Sequence, residues 1–543
     1  MRLITSDDQK AIDRIWQERT GLPLLLLMEA AAVAVAAQCI QLAKGSLLPV
    51  LILAGKGQNG GDAFACARML LASGWPVRCR EMEPDAALPA EAAANRQALL
   101  NLGCELGVAT EDDFHAVAGG IIVDGLYGTG YRTGRPQTGE FCRLSAAMEQ
   151  ARRQGTRVVS IDVPSGLDVD DGSAATCCIT ADRTVTFVRA KPGLLQPAGL
   201  AHAGSVVVDS IGVGIDLVEE ALESHPVWMG LDRDTVRAWA PLRVPDSHKG
   251  LFGKAALIGG SAGMPGAILL AGEAAARSGA GLVSLHVPQA IAGMVLAARP
   301  EALLKPIPDE CVDLAGWLAA LKEARACGIG PGLGQPVWID ELLAGLIESA
   351  PGLVIDADGL NQLARSPEHY WLLFRKSRMD RDLPPAILTP HPGECRRLAP
   401  DLDPQERLKT ARLLALRSSC IIVLKGQATV VAEPSGRCWI NTTGNDGLAR
   451  GGSGDVLCGL FTGLLAQGIE AWQAAAAGVF LHGLSADLAA RQISRRALMP
   501  RDVIAGLGQA YSEAGWEAEP LQKRRRRTRT IPAGSREEEI RIE

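Results

Sequence analysis

Short apolar runs alternate along this chain with longer helix-like segments. Such alternation points to parallel strands joined by crossover helices, because a tight turn cannot close a parallel pair. The first series of runs covers residues 50–53, 77–79, 121–123, 158–161, 184–187 and 205–208. The second covers residues 254–258, 282–287, 326–329, 353–355, 387–388 and 421–424. Between them, from Gly214 to Pro245, the chain is charged, carries prolines and shows no strong strand. The 543 residues exceed one ordinary core. The two series do not repeat each other, so two differently built α/β domains are predicted over 1–220 and 221–515, with a tail over 516–543. That tail holds the basic run 523–527 and the acidic Glu537-Glu538-Glu539 without apolar periodicity, and is predicted to be disordered.

Composition narrows the class. A net charge of −6 argues against a general nucleic-acid binder. The 13 cysteines contain no C-x-x-C pair, so scattered reduced thiols in a cytoplasmic protein are expected. The N-terminus, Met1-Arg2-Leu3-Ile4-Thr5-Ser6-Asp7-Asp8, is too polar for a signal peptide. Residues 22–37 are apolar but include Pro23 and Glu29, and read as a packed core helix rather than a membrane span.

Gly-rich turns follow many of the strand-like runs. Gly451-Gly452-Ser453-Gly454-Asp455 precedes an apolar helix predicted over 456–465 and follows the Lys425-Gly426-Gln427-Ala428-Thr429 segment. Backbone N–H groups at a helix start form an anion site. A carboxylate there is electrostatically costly, and accepting a proton from a substrate hydroxyl would explain Asp455; a helix cap is the plainer reading. In the first half, Gly55, Gly57 and Gly60 form G-x-G-x-x-G after a strand and before a helix predicted over 63–72, and Glu81 lies near the ribose-binding spacing. Asp124 and Asp162 each end a strand before a Gly-containing loop. Together with Asn59 and Ser165 they would line one end of a parallel sheet with oxygen, suiting a hard cation and proton transfer.

The ordered set G-x-G-x-N-G-G-D, V-D-x-L-x-G-T-G and D-V-P-S-G-L-D, from about Met28 to Gly212, resembles the NAD(P)H-hydrate epimerases. The resemblance implies a Rossmann-like three-layer fold with a potassium ion held by Asn59, Asp124 and Ser165. It makes Asp162 the acid/base candidate. It places substrate along Gln58, Asn59, Gly60, Gly61 and Asp62, and along Gly128, Thr129, Gly130, Tyr131, Arg132, Thr133 and Gly134. Gln58, Ala63 and Tyr127 depart from that pattern, which often has Asn, Gly and Phe.

The second half, from about His248 to Leu507, has its own ordered set. It runs through Gly259-Gly260-Ser261, Gly330-Pro331-Gly332, Asp356-Ala357-Asp358, Thr389-Pro390-His391-Pro392-Gly393-Glu394 and the Gly451–Asp455 loop. It resembles the ADP- or ATP-dependent NAD(P)H-hydrate dehydratases, which have a ribokinase-like fold. The resemblance gives Lys425, Gly426, Gln427, Ala428, Thr429 and Gly454 to the nucleotide, and Ala267, Gly332, His391 and Asp455 to the hydrated dinucleotide.

Together these likenesses imply a bifunctional enzyme, an isomerase and a lyase, that repairs hydrated NADH and NADPH. Water added across the 5,6 double bond leaves a C6 hydroxyl in R or S form. The first domain would interconvert the epimers. The second would phosphorylate the S form at that hydroxyl and eliminate phosphate, with Asp455 as base, ADP (alternatively ATP) as co-substrate and Mg²⁺. A homo-oligomer with small-molecule partners, and neither nucleic acid nor membrane, completes the expectation. Three rivals are a nicotinamide-dependent oxidoreductase, a sugar or vitamin kinase, and a non-catalytic binder of modified nucleotides.

Overall fold

A computed structural model describes residues 1–134, 137–243, 246–308, 313–517 and 539–540. Among the described residues there are two compact units, the first of residues 2–228 with 539–540 and the second of residue 1 with 229–517.

In the first unit, strands β1 (Val50–Ala54), β2 (Val77–Glu81), β3 (Ile121–Gly125), β4 (Arg157–Ile161), β5 (Arg183–Phe187) and β6 (Ser205–Asp209) form a parallel sheet in the order β6-β5-β4-β3-β1-β2. Residues 539–540 pair antiparallel with β6. Strands β1 and β3 are buried along their whole length, as expected of a sheet covered on both faces. The predicted runs all lie within these strands. The chain leaves β1 for β2 on one side and returns to β3 on the other, which opens a crevice at the carboxyl ends of β1 and β3.

The glycines at that crevice serve close packing. A Cβ on Gly55 would lie 1.8 Å from the Leu126 carbonyl oxygen, and one on Gly60 1.9 Å from the Gly55 carbonyl oxygen. The G-x-G-x-x-G spacing thus lets two strand-end loops touch. Helix α3 (Gln58–Ala72) begins five positions before the predicted helix, so Gln58 to Asp62 form its first turn rather than a free loop.

Helices α1 (Ser6–Thr20) and α2 (Leu25–Leu42) precede the sheet. Half of α2 is buried in the first unit's core, though by length and composition it is apolar enough to cross a membrane. Its Leu26, Val33 and Ile40 are exposed. The expectation of reduced thiols throughout fails at one pair: a disulfide joins Cys142 and Cys177, with Cα atoms 5.2 Å apart. Their separation of 35 residues gives no local spacing signal.

The second unit holds β7 (Lys254–Ile258), β8 (Leu282–Pro288), β9 (Leu303–Ile307), β10 (Ala326–Ile329), β11 (Gly352–Ile355), β12 (Ile387–Leu388), β13 (Ile421–Leu424), β14 (Val430–Ala432) and β15 (Cys438–Ile440). Their order is β15-β14-β13-β12-β11-β10-β7-β8-β9, parallel from β9 to β13 and antiparallel at β14 and β15. Here the order reverses around β7, so the crevice lies beyond β7 and β10. Strands β9, β14 and β15 carry no clear sequence signal. β9 contains Lys305 and Pro306 and is largely exposed at the sheet edge, where a missing N–H is tolerated; the other two are three residues each.

Helix α4 (Pro265–Arg277) packs on α5 (Ser453–Ala466), whose residues 456–466 are all buried. A Cβ on Gly459 would lie 2.0 Å from the Ala271 carbonyl oxygen, and one on Gly463 1.9 Å from Ser278 Oγ. The helices therefore meet backbone to backbone. At the chain's far end Trp516 Nε1 donates to the Val236 carbonyl at 2.8 Å and its ring stacks on Tyr511. Packed structure thus runs past residue 515. The rest of the predicted tail, residues 518–538 and 541–543, lies outside the described residues.

Candidate functional site

Each unit assembles its candidate residues at the carboxyl ends of its strands. In the first, a cavity of about 620 Å³ is bounded by Gln58, Asn59, Asp62, Tyr127, the 128–131 loop and Asp162, and on the α1 side by Gln9 and Asp13. Of the other sequence candidates, Gly60 and Gly61 lie beneath the wall, where added Cβ atoms would strike Gly55 and Met28. Arg132 is turned to the protein: it pairs with Asp170 at 2.7 Å and donates to the Thr129 and Tyr131 carbonyls. Thr133 donates its N–H to Asp168 at 3.2 Å, and Gly134 adopts φ 97°. These three shape the loop and do not line the cavity.

Asn59, Asp124 and Ser165 come together. The parallel register sets Asp124 beside Ser160, whose hydroxyl donates to it at 2.8 Å. Ser165 donates its N–H at 2.9 Å and its hydroxyl at 2.5 Å to the same carboxylate. Asn59 Nδ2 donates to the Tyr127 carbonyl at 3.1 Å, which Ser165 Oγ also approaches to 3.1 Å. Asp124 is fully buried, and burial pushes its carboxyl up despite those neutral donors. Its hydrogen-bond partners include no cation, so the site has net negative charge and oxygen donors.

Asp162 has φ 62°, left-handed for a residue with a side chain, and its carbonyl-end turn aims the carboxylate back at the sheet. Oδ1 accepts from Thr186 Oγ1 at 2.9 Å and from Lys191 Nζ at 2.5 Å. Lys191 is wholly buried and also donates to Thr186 Oγ1 and the Phe187 carbonyl, each at 2.9 Å. This ion pair was not anticipated from the sequence. The available signal was a Lys in the short segment after β5, two residues past Arg189. Asp62 is pushed well above the usual carboxylate range, by burial and then by the Asp162 and Asp13 charges.

In the second unit, β11, β13 and α5 bring Asp356, Lys425 and Gly454 together. Lys425 Nζ lies 2.7 Å from Asp356 Oδ1 and 3.8 Å from Glu394 Oε2. A Cβ on Gly454 would sit 3.4 Å from that nitrogen. Burial opposes the ammonium, but Asp356 and Glu394 prevail and raise its pKa. Asp455, in the first turn of α5, is pushed up to about 6 by burial and by Asp356, against Lys425. Gly452, at φ 96°, turns the chain into the helix, which starts three residues before the predicted one.

Gly426 to Thr429 make the turn into β14. Gly426 has φ 143°, Ala428 has φ 50°, and Thr429 Oγ1 donates to the Gly426 carbonyl at 2.8 Å. Arg407, which sequence reasoning missed, donates to the Leu424 carbonyl at 3.0 Å and braces this turn. Ala267 and Gly332 are neighbours, since a Cβ on Gly332 would lie 2.9 Å from that of Ala267. His391 caps the helix Pro392–Leu398: Nδ1 accepts from the Gly393 N–H at 2.9 Å. Its neutral form therefore carries the proton on Nε2, 3.4 Å from Glu394 Oε1, and the side chain is half exposed. Capping and ligand contact are compatible there. Asp356 and Glu394 were noted as parts of motifs, but their shared hold on Lys425 was not foreseen.

Two family models match this chain, over separate ranges. Residues 255–507 match a family described as NAD(P)H-hydrate dehydratase, and residues 25–193 a family described as YjeF-related protein N-terminus. The chain is 33% identical to the bifunctional NAD(P)H-hydrate repair enzyme Nnr of Moorella thermoacetica, over 93% of this chain and 95% of that protein. It is 34% identical to the Escherichia coli protein of the same name, over 92% of each. A crystal structure of the ADP/ATP-dependent NAD(P)H-hydrate dehydratase of Bacillus subtilis, co-crystallised with ATP/Mg²⁺, is 32% identical and aligns with 54% of this chain and 99% of that one, with a TM-score of 0.45.

Proposed function

The chain belongs to the bifunctional NAD(P)H-hydrate repair enzymes, and on that premise we propose how its two sites divide the work. The enzyme restores hydrated NADH and NADPH, by epimerisation of the R and S hydrates and by nucleotide-dependent dehydration of the S form. The cavity beyond β1 and β3 is assigned to epimerisation and the loop at Gly454 to dehydration. One observation carries the second assignment: a carboxylate, Asp455, stands in the first turn of a helix whose N–H groups, with Lys425, would hold a phosphate.

At that loop Lys425 and the backbone of Gly426 to Thr429 and Gly454 hold the nucleotide, while Ala267, Gly332 and His391 hold the hydrate. Asp455 accepts the proton of the C6 hydroxyl as it takes the phosphoryl group. Phosphate then leaves C6 and a proton leaves C5, which restores the 5,6 double bond. Asp356, Glu394 and Asp455 outnumber Lys425, a charge excess that fits Mg²⁺. Asp356 would hold it, with Asp455 left to accept the hydroxyl proton, and it would screen the nucleotide's phosphates when bound. ADP is the favoured co-substrate and ATP the alternative.

At the first site Asp162 acts as acid/base. Asn59, Asp124 and Ser165 would hold K⁺: their oxygens carry one formal charge, and the buried Asp124 carboxylate receives hydrogen bonds from neutral groups. The ion would order the Asn59 and Tyr127 loops. Asp124→Ala is expected to lower epimerisation at least tenfold and to abolish its response to K⁺ (measured in KCl against choline chloride), with the nucleotide-dependent step nearly unchanged. An unaltered K⁺ response would remove the assignment.

The division at Trp228 also predicts separable modules. Residues 1–228 should interconvert hydrate epimers without nucleotide, and residues 229–543 should repair only the S form. Mixed NADH hydrate with ADP or ATP, followed by recovery of dihydropyridine absorbance, is the direct test; inactive fragments from an active whole chain would refute separability. Self-association and a cytoplasmic setting belong to the same reading. The exposed Leu26, Val33 and Ile40 supply an apolar face for the former, testable by sedimentation of the intact chain.

A further inference from the structure

We propose that Asp13 is a proton donor of the epimerase site, working with the Asp162–Lys191 pair, and that Gln9 recognises the carboxamide of the hydrated nicotinamide. This rests on the assignment of the first cavity to epimerisation. Gln9 and Asp13 stand one turn apart on α1 and both line that cavity. Gln9 Nε2 donates to Asp13 Oδ1 at 2.8 Å. Gln9 Oε1 is buried with no hydrogen-bond partner. An unmet buried acceptor is expensive unless a ligand supplies the donor. A primary carboxamide offers an N–H for it.

Charge makes the same case. Asp13, Asp62 and Asp162 share the cavity wall, and the buried Lys191 pairs with Asp162; of the other charged wall residues, Lys10 pairs with Asp7, Lys56 pairs with Glu83, and Glu91 accepts from Gln58. Three carboxylates beside one cation favour retention of protons. Burial pushes Asp13 up to about 6; Gln9 and Lys191 oppose the rise and the Asp162 charge adds to it.

The hydrate is a hemiaminal, with the C6 hydroxyl on the carbon bonded to N1. Asp162 takes the hydroxyl proton, C6=O forms, and the C6–N1 bond breaks with its electron pair going to N1. Asp13 delivers a proton to N1. Rotation presents the other aldehyde face. On reclosure N1 returns its proton to Asp13 and bonds to C6, and the oxygen recovers its proton from Asp162. No proton or electron is gained overall.

Because the donor must be protonated, wild-type epimerisation should fall as pH rises through about 6. In the full chain, Asp13→Asn is expected to lower the epimerisation rate at pH 6 roughly 100-fold and to flatten that alkaline limb, Asp13→Glu to recover part of the rate, and Gln9→Leu to raise KM more than it lowers kcat. Repair of purified S hydrate with ADP should stay at the wild-type rate, and a wild-type thermal transition of the first unit shows that the unit carrying the substitution is folded. An Asp13→Asn profile with the wild-type alkaline limb, whatever its height, overturns the proposal. Absence of epimerisation in the wild type would instead sink the assignment of the cavity.

Discussion

Asp455→Asn should slow nucleotide-dependent recovery of NADH from its S hydrate by roughly 10²–10⁴-fold, equivalent to about 3–5 kcal/mol of barrier. The substitution keeps the side chain's shape and removes the proton acceptor. Nucleotide affinity, measured by calorimetry, should change little, because Lys425 and the α5 N–H groups remain. The wild-type rate should also depend on pH with a definite sign. Burial and the Asp356 charge bring the Asp455 carboxyl to about 6. Below that pH it holds a proton and cannot accept another, so the rate should fall as pH drops through about 6, and Asp455→Asn should lack this acid limb. Near-normal single-turnover recovery in Asp455→Asn would reduce the residue to part of the helix start.

Lys191→Met should damage the first unit twice over. The ammonium is wholly buried and its three contacts are Asp162, Thr186 and the Phe187 carbonyl. Removing it leaves the Asp162 carboxylate buried without its charge partner, which typically costs about 3–5 kcal/mol. For a unit of this size the unfolding midpoint should fall by roughly 10 °C. Epimerisation should drop roughly 100-fold, since the unpaired carboxylate no longer holds its orientation. The double variant Lys191→Met/Asp162→Asn separates the effects: a neutral amide needs no cation, so stability should largely return while activity does not. A single variant as stable and active as wild type would show the pair to be dispensable.

The strand runs were legible because parallel strands buried on both faces are largely apolar, as Val50–Ala54 is throughout and Ile121–Gly125 is up to Asp124. Strands failing that condition, such as Leu303–Ile307 with Lys305 and Pro306 at an edge, were not. Carboxylates at strand ends were legible too, since Asp124 and Asp162 interrupt apolar runs. Their partners were harder to see. Lys191 lies 29 positions from Asp162, and Lys425 lies 69 from Asp356. Only the register of the sheets joins them. Helix starts were read late at both loops, because Gly and Ser weigh against helix although α3 begins at Gln58 and α5 at Ser453. Asp13 sits in a polar stretch of α1, where a carboxylate carries no sequence signal of a site.

The glycine contacts between α4 and α5 bear on motion in the second unit. α5 begins at the Gly451–Asp455 loop, and α4 begins beside Ala267. With Gly459 against the Ala271 carbonyl and Gly463 against the Ser278 hydroxyl, the helices are held at a separation that no larger residue at either glycine would allow. The two helices, each the wall of one part of the candidate site, thus move as one piece. Any closing movement that shields phosphoryl transfer from water must come from the opposite side, where Lys425 leads into a turn with left-handed Ala428 and the His391 cap stands half exposed. Bulk added at Gly459 would pry that single piece apart and displace both walls together, so nucleotide and hydrate would lose their seats in the same step.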